Sequence, residues 1–302
     1  MTTSEVLNFT EIPTVDEGIK NFEFHEYEPV TRINLNCSGE IRINVEQQAL
    51  FTHPSEAFLL FEGRLLKADE TVCANADAVS LTNSFIMGTK HNFYNKILCI
   101  IYLFSQISYQ LSKQQVEDVY HPRQATAMLR LLIYRSDFQS AQELNQLWYK
   151  DSAATVVLAN NTGFAVRQAC IIQKPTTKGT FSFTIPLRHI FGFCDNYNRV
   201  IYGFKHTLSL VRKNDDNAIF RLAAAAAGKV IFNKMSLFIP YVTPSDIERI
   251  ILYKTIESKV TISVTFRARR CDTISVPQSA TFSWRLSVKA SQEKPRYIIS
   301  NK

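Results

Sequence analysis

From residue 30 onward, apolar residues recur at every second position, the period of a strand with one covered face. Ile41, Ile43 and Val45 alternate with Arg42 and Asn44, and Val79 and Leu81 with Ser80 and Thr82. Phe181, Phe183 and Ile185 alternate with Ser182 and Thr184 until Pro186 ends the run. Ile107, Tyr109 and Leu111 continue the pattern, and Tyr202, Phe204, His206, Leu208 and Leu210 share one parity. Phe58–Leu66 (FLLFEGRLL) is more continuous, which suits a strand covered on both faces. The clearest alternation is Lys259–Arg269 (KVTISVTFRAR). It places Val260, Ile262, Val264, Phe266 and Ala268 on one side and Thr261, Ser263, Thr265, Arg267 and Arg269 on the other. Phe282, Trp284, Leu286 and Val288 repeat the design.

Helical signals are few. Thr243-Pro244-Ser245-Asp246 opens a helix with proline and acid at its start, and Ile247, Ile250 and Ile251 then share a face. Asp215–Ala227 reads as a second helix closed by Gly228. Gln124–Leu132 fits helix or strand. Many strands, few short helices and no alternating strand–helix rhythm predict an all-β sandwich or barrel. Residues 1–28 are polar and mildly acidic and read as an N-terminal arm.

Composition sharpens this picture. Phe (21) and Tyr (12) are abundant and suit a pleated surface, whereas Gly (9) is too scarce for phosphate-cradling loops. The net charge of +7 permits an anionic partner, but the basic residues are scattered. Their densest knot, Arg267, Arg269 and Arg270, falls on the solvated side of the 259–269 pattern, so no specific nucleic-acid partner is expected. The six cysteines, Cys37, Cys73, Cys99, Cys170, Cys194 and Cys271, lack close pairing and read as reduced, mostly buried thiols of a protein that is not secreted. Residues 1–20 have no secretory pattern, and the apolar run Ile97–Phe104 is too short to span a bilayer.

Catalytic motifs are missing. No GxGxxG, HExxH or GxSxG occurs, and Ala223–Val230 (AAAAAGKV) lacks the glycine and hydroxyl that a phosphate loop requires. His189, Asp195 and His206 are near in sequence and could gather as a metal or acid–base cluster. The simpler reading gives His206 a strand parity with its polar tip at a sheet edge, and gives Asp195 a turn. Trp148-Tyr149 reads as a plug between packed units, or as a stacking surface for a sugar or base. No catalytic residue, cofactor-binding residue, metal ligand or cofactor is expected, and the chain is not expected to be an enzyme.

Residues 181–221 (FSFTIPLRHIFGFCDNYNRVIYGFKHTLSLVRKNDDNAIFR) carry a Pro-Leu-x-x-apolar-Phe-Gly-Phe segment, then Tyr-Gly-x-x-His, then Leu-x-Leu-x-Arg-x-x-Asp. With Lys234–Ser245, Pro54-Ser55 ahead of Phe61-Glu62-Gly63, and Lys294-Pro295-Arg296-Tyr297-Ile298, this order resembles the double jelly-roll capsid protein family, in particular capsid-like proteins of small DNA viruses and virus-like mobile elements in invertebrate genomes. The resemblance covers about residues 30–300. It implies an all-β double jelly roll, two antiparallel β-sandwiches side by side, with residues 29–212 as the first roll and 213–302 as an incomplete second one. It also implies a structural subunit, in the virion or inside the cell (cytoplasm or nucleus), that self-associates as a homotrimer in a capsid lattice, with other capsid proteins as further partners and no membrane. A genome-integrated remnant of such a subunit fits the same residues. A ligand- or carbohydrate-binding β-sandwich is the alternative. Three departures stand out: Leu237 replaces the family's tryptophan, residues 88–103 read as an insertion, and the chain stops soon after the Lys-Pro-Arg-Tyr segment.

Overall fold

The computed structural model describes residues 18–81, 101–126, 160–221 and 228–272, with gaps at 31–34, 48, 102, 123 and 215–217, and the single positions 152, 281, 283 and 298. Its strands are β1 (Ile19–Tyr27), β2 (Gly39–Val45), β3 (Phe51–Thr52), β4 (Phe58–Lys67), β5 (Val79–Leu81), β6 (Phe104–Leu111), β7 (Gln114–Tyr120), β8 (Thr180–Pro186), β9 (His206–Arg212), β10 (Ile219–Arg221) and β11 (Gly228–Pro244). Among the described residues, α1 (Thr162–Ile171), α2 (Gly192–Asn196) and α3 (Asp246–Glu257) accompany them. All described pairings are antiparallel. One sheet runs β1-β11-β4-β8, with β3 also on β11; a second runs β2-β9-β6-β7; β5 and β10 form a small third.

The two larger sheets close on one continuous core. Ile41, Ile43 and Val45 of β2, Leu208 and Leu210 of β9, and Ile107 and Tyr109 of β6 line one wall. Leu59, Phe61 and Leu65 of β4, Phe181, Phe183 and Ile185 of β8, and Val230, Phe232, Met235, Leu237 and Ile239 of β11 line the other. Period-two alternation thus delivers one apolar row per strand to a shared interior, as in a face-to-face sandwich. β4 alternates more sharply than its run of apolar letters implies: Leu59, Phe61, Gly63 and Leu65 are buried, while Phe58, Leu60, Glu62 and Arg64 are only half covered.

Gly63 stands in the middle of β4, not at a strand cap. It pairs with Phe181 on one side, and on the other the register with β11 shifts between Phe232 and Lys234. A side chain at 63 would strike the Ile231 carbonyl oxygen and the Phe181 ring. Glycine lets the ring lie over the backbone at this bulge. Gly63→Ala is expected to cost about 1–3 kcal/mol through overpacking, read as a lower midpoint in chemical unfolding; an unchanged midpoint would show that the strands spread freely.

Four expectations are corrected. Residues 19–27 are not a loose arm: β1 pairs with β11 from Ile19↔Pro244 to Tyr27↔Leu237, and Tyr27 Oη meets Tyr241 Oη at 2.6 Å. Its side chains stay largely exposed, which is why the stretch reads as polar; residues 1–17 lie outside the described residues. The second helix expected over Asp215–Ala227 is not formed at Ile219–Arg221, which is β10, paired with Val79–Leu81. Packing of Phe220 against Phe164 (5.7 Å between centroids) overrides the helical propensity of the alanine-rich stretch. Gly228 opens β11 instead of closing a helix, and residues 222–227 are outside the described set.

The third correction concerns residues 260–272. They have no ladder partner among the described residues, and Val260, Ile262 and Val264 are 62%, 57% and 48% exposed. Alternation specifies two faces, but a ladder also needs a neighbouring strand. Fourth, the arginine knot is not uniformly solvated: the Arg269 side chain is 11% exposed and pairs with Asp195 at 2.8 Å.

β11 begins beyond the division expected at residue 212, yet it pairs inside the first sheet. Leu237, which stands where a tryptophan was expected, is 1% exposed in this core. Of the expected insertion at 88–103, only Ile101 and Leu103 are described, and both are buried. Residues 124–126 are helical. Trp148-Tyr149, Cys99 and the 284–288 pattern lie outside the described residues. No helix among the described residues is long and apolar enough to cross a membrane.

Candidate functional site

The motif-bearing stretch 181–221 folds as β8, a 3₁₀ turn at Leu187–His189, α2 and β9. His189, His206, Ser209 and Arg212 of this stretch turn inward. His206 is 1% exposed on β9, an interior strand between β2 and β6, so its tip is in the core and not at a sheet edge. Thr52 Oγ1 donates its single hydrogen to the Ile201 carbonyl at 3.1 Å, so toward His206 Nε2, 2.9 Å away, it accepts. Nε2 therefore carries the ring proton, and Nδ1 accepts from the Tyr109 hydroxyl at 2.5 Å. Burial lowers the imidazole to about 4 and raises the Tyr109 phenol well above its ordinary value. A neutral, fully bonded histidine that joins three strands is a brace.

Arg212, the arginine of Leu-x-Leu-x-Arg, is 4% exposed. It donates to the Leu35 carbonyl, to Asn36 Oδ1 at 3.0 Å and to the Val230 carbonyl at 2.7 Å, and it lies 4.8 Å from the Phe232 ring centroid. It thereby ties β9 of one sheet to β11 of the other.

Glu117 of β7 is 3% exposed and has no counterpart in the sequence reading. Oε1 accepts from the Gly192 N–H at 3.1 Å and Oε2 from the Phe193 N–H at 2.9 Å, so it holds the Phe-Gly-Phe turn in place. Burial pushes its carboxyl up, against the pull of those N–H groups.

The residues weighed as a cluster do not gather. His206 is occupied by Thr52 and Tyr109, Asp195 is exposed and paired with Arg269, and His189 is buried in the 3₁₀ turn. Among the described residues no three of His, Cys, Asp and Glu are placed to share a metal ion. Cys73 and Cys194 are buried, Cys170 and Cys271 half-buried and Cys37 exposed. A pocket of about 240 Å³ between Phe24, Phe58, Pro186 and Arg188 is smaller than a typical small-molecule site.

What the surface offers is apolar area. On α3, Ile247, Ile250, Ile251 and Ile256 are 73%, 54%, 49% and 40% exposed, and the bare row Val260, Ile262 and Val264 follows directly in the chain. Ser245 caps this helix through its hydroxyl, which accepts from the Glu248 N–H, so the isoleucine face is built deliberately by a well-started helix. A second stripe crosses the outer side of β1, β4 and β11, where Phe24 lies 5.4 Å from Phe58, and Phe58 stacks at 5.0 Å on Phe238.

This architecture is an antiparallel sandwich of the jelly-roll class, braced by buried polar groups. A family model described as a double jelly roll-like domain matches residues 94–301, more than half of the chain. The chain belongs to the double jelly roll-like domain family. Solved structures that resemble it include the mavirus major capsid protein (15% identity, TM-score 0.43, 82% of this chain and 51% of that one). Others are the Faustovirus major capsid protein (10%, 0.43, 84% and 60%) and a chain of the Sputnik virophage (9%, 0.49, 82% and 52%). The chain spans about half the length of the solved structures that it matches. None of the curated proteins matches it.

Proposed function

We propose that this protein is a structural subunit that works by burying apolar surface against copies of itself, without catalysis. The observation that carries the reading is the exposed isoleucine face of α3, continued by Val260, Ile262 and Val264. Scattered apolar residues are ordinary on a surface, but a contiguous group marks an interaction face. Every buried polar cluster described above braces the sandwich, which leaves the surface as the seat of function. Membership of the double jelly roll-like domain family supports the same reading.

The finer form is a homotrimer built into a shell, located in the virion or inside the cell, or a genome-integrated remnant of such a subunit. The division into two rolls belongs to this proposal: β11 shares the core of the first, and the second is built from the chain that follows. Light scattering and negative-stain microscopy of the purified chain test it. Trimers, at three times 34.5 kDa, or larger closed particles are expected; a monodisperse monomer at high concentration overturns the reading. Ile250→Glu with Ile251→Glu places two charges on the exposed face and is expected to weaken association by at least about tenfold while leaving the unfolding midpoint nearly unchanged. A matching loss of stability would mean that the face is internal.

A further inference from the structure

Phe266–Arg269 is seated on the corner that Glu117, Gly192, Phe193, Asp195 and Asn196 form. The Arg267 N–H donates to Asn196 Oδ1 at 3.0 Å, and the Arg269 N–H to Glu117 Oε1 at 2.6 Å. In an extended chain, N–H groups two residues apart leave on the same edge. The corner therefore meets the segment as a neighbouring strand would, with side-chain oxygens in place of main-chain carbonyls.

Two side chains add selectivity. Phe266 stands edge-on to the Phe193 ring, 5.2 Å between centroids and 81° between planes. The Arg269 guanidinium pairs with Asp195 at 2.8 Å. Gly192 completes the fit, because a Cβ there would collide with the Arg267 carbonyl oxygen. Among the described residues, the approach through Val260–Thr265 has no ladder, and the contacts with this corner are made by Phe266, Arg267 and Arg269.

We propose that this corner is a recognition socket for an extended peptide of the pattern Phe-x-x-Arg, with Phe266–Arg269 as its resident ligand. Main-chain N–H capture supplies binding that is indifferent to sequence, and the aromatic and carboxylate contacts choose the occupant, the usual division of labour in strand-like recognition. The socket fastens the chain beyond α3 to the sandwich.

The test uses the full chain with Phe266→Ala and Arg269→Ala, which strips the resident segment of both selective side-chain contacts, and a fluorescent peptide of residues 262–270 added in trans. Saturable binding by anisotropy is expected. Peptides carrying Phe266→Ala, which keeps every charge, or Arg269→Lys, which keeps the charge but not the planar fork, should bind at least about tenfold more weakly. Gly192→Val added to this chain should abolish binding. If that variant fails to fold, Asn196→Ala, which removes one acceptor from an exposed side chain, should weaken binding several-fold. Absence of binding, equal binding of native and Phe266→Ala peptides, or binding indifferent to both socket substitutions overturns the proposal. None of these readouts depends on whether particles form.

Discussion

An alanine at position 61 is expected to remove about 3–5 kcal/mol of unfolding free energy. Phe61 is 1% exposed, and its ring lies 5.6 Å from Phe232, 5.7 Å from Phe183 and 6.0 Å from Phe104. Those partners come from β11 and β8, which flank β4 in its own sheet, and from β6 in the opposite sheet. Each is fixed by ladder hydrogen bonds on its strand, so the void left by the ring cannot close by a small shift. The cost therefore combines lost transfer free energy with an unfilled cavity. Denaturant titration measures it as a fall in midpoint at constant slope. Phe24→Ala is the control: that ring is 47% exposed on the outer stripe and is expected to cost no more than about 1 kcal/mol. If both substitutions cost the same, the apolar rows do not meet in a single interior.

Alternating side chains made β2, β6, β8 and β9 readable, because each strand has one side in the core and one toward water. The buried braces were harder to read. His206 could be placed on the apolar side of its strand, but its hydrogen-bond partners are 97 and 154 residues away in sequence. No local pattern connects such positions. Glu117 was hidden for the opposite reason: a glutamate followed by an aspartate looks solvated, and only the fold brings Gly192 and Phe193 to it. The alanine-rich stretch before Gly228 misled because propensity is a weak preference, overturned at Ile219–Arg221 by one short ladder and one ring contact. Lys259–Arg269 showed the reverse limit: a perfect two-faced pattern says which side is apolar, not which strand it meets.

The braces and the exposed faces divide the work of the molecule. Arg212 and His206 hold the two sheets in register with groups that cannot slide, since each hydrogen-bond partner is fixed in direction. If identical subunits meet through α3, as proposed, a rigid sandwich holds its isoleucines at the constant position that such contact requires.

Acidification should expose the cost of this bracing. The folded imidazole of His206 titrates at about 4, against 6.5 when free, so above pH 6.5 both folded and unfolded chains hold it neutral and it imposes no penalty. As pH falls below 6.5, the unfolded chain takes up a proton that the folded chain refuses, and stability declines until about pH 4, where the folded ring also titrates. That gap corresponds to about 3 kcal/mol. Glu117 acts in the opposite sense. Burial raises its carboxyl above 4.5, so the folded chain binds this proton more readily than the unfolded one, and acidification through that range relieves part of the loss. Glu26, held low by Lys234, and Asp77, held low by the Ala74 N–H, lose their contributions only near and below their free values of 4.5 and 3.8. From pH 6.5 to about 5 the decline therefore belongs to the histidine, with Glu117 acting against it and Glu26 and Asp77 entering only lower. His206→Gln keeps an N–H donor and an acceptor but cannot take up the proton, and is expected to flatten the decline there while lowering stability at neutral pH. Denaturation midpoints across that interval decide it: parallel curves for the two proteins would place the titrating group elsewhere.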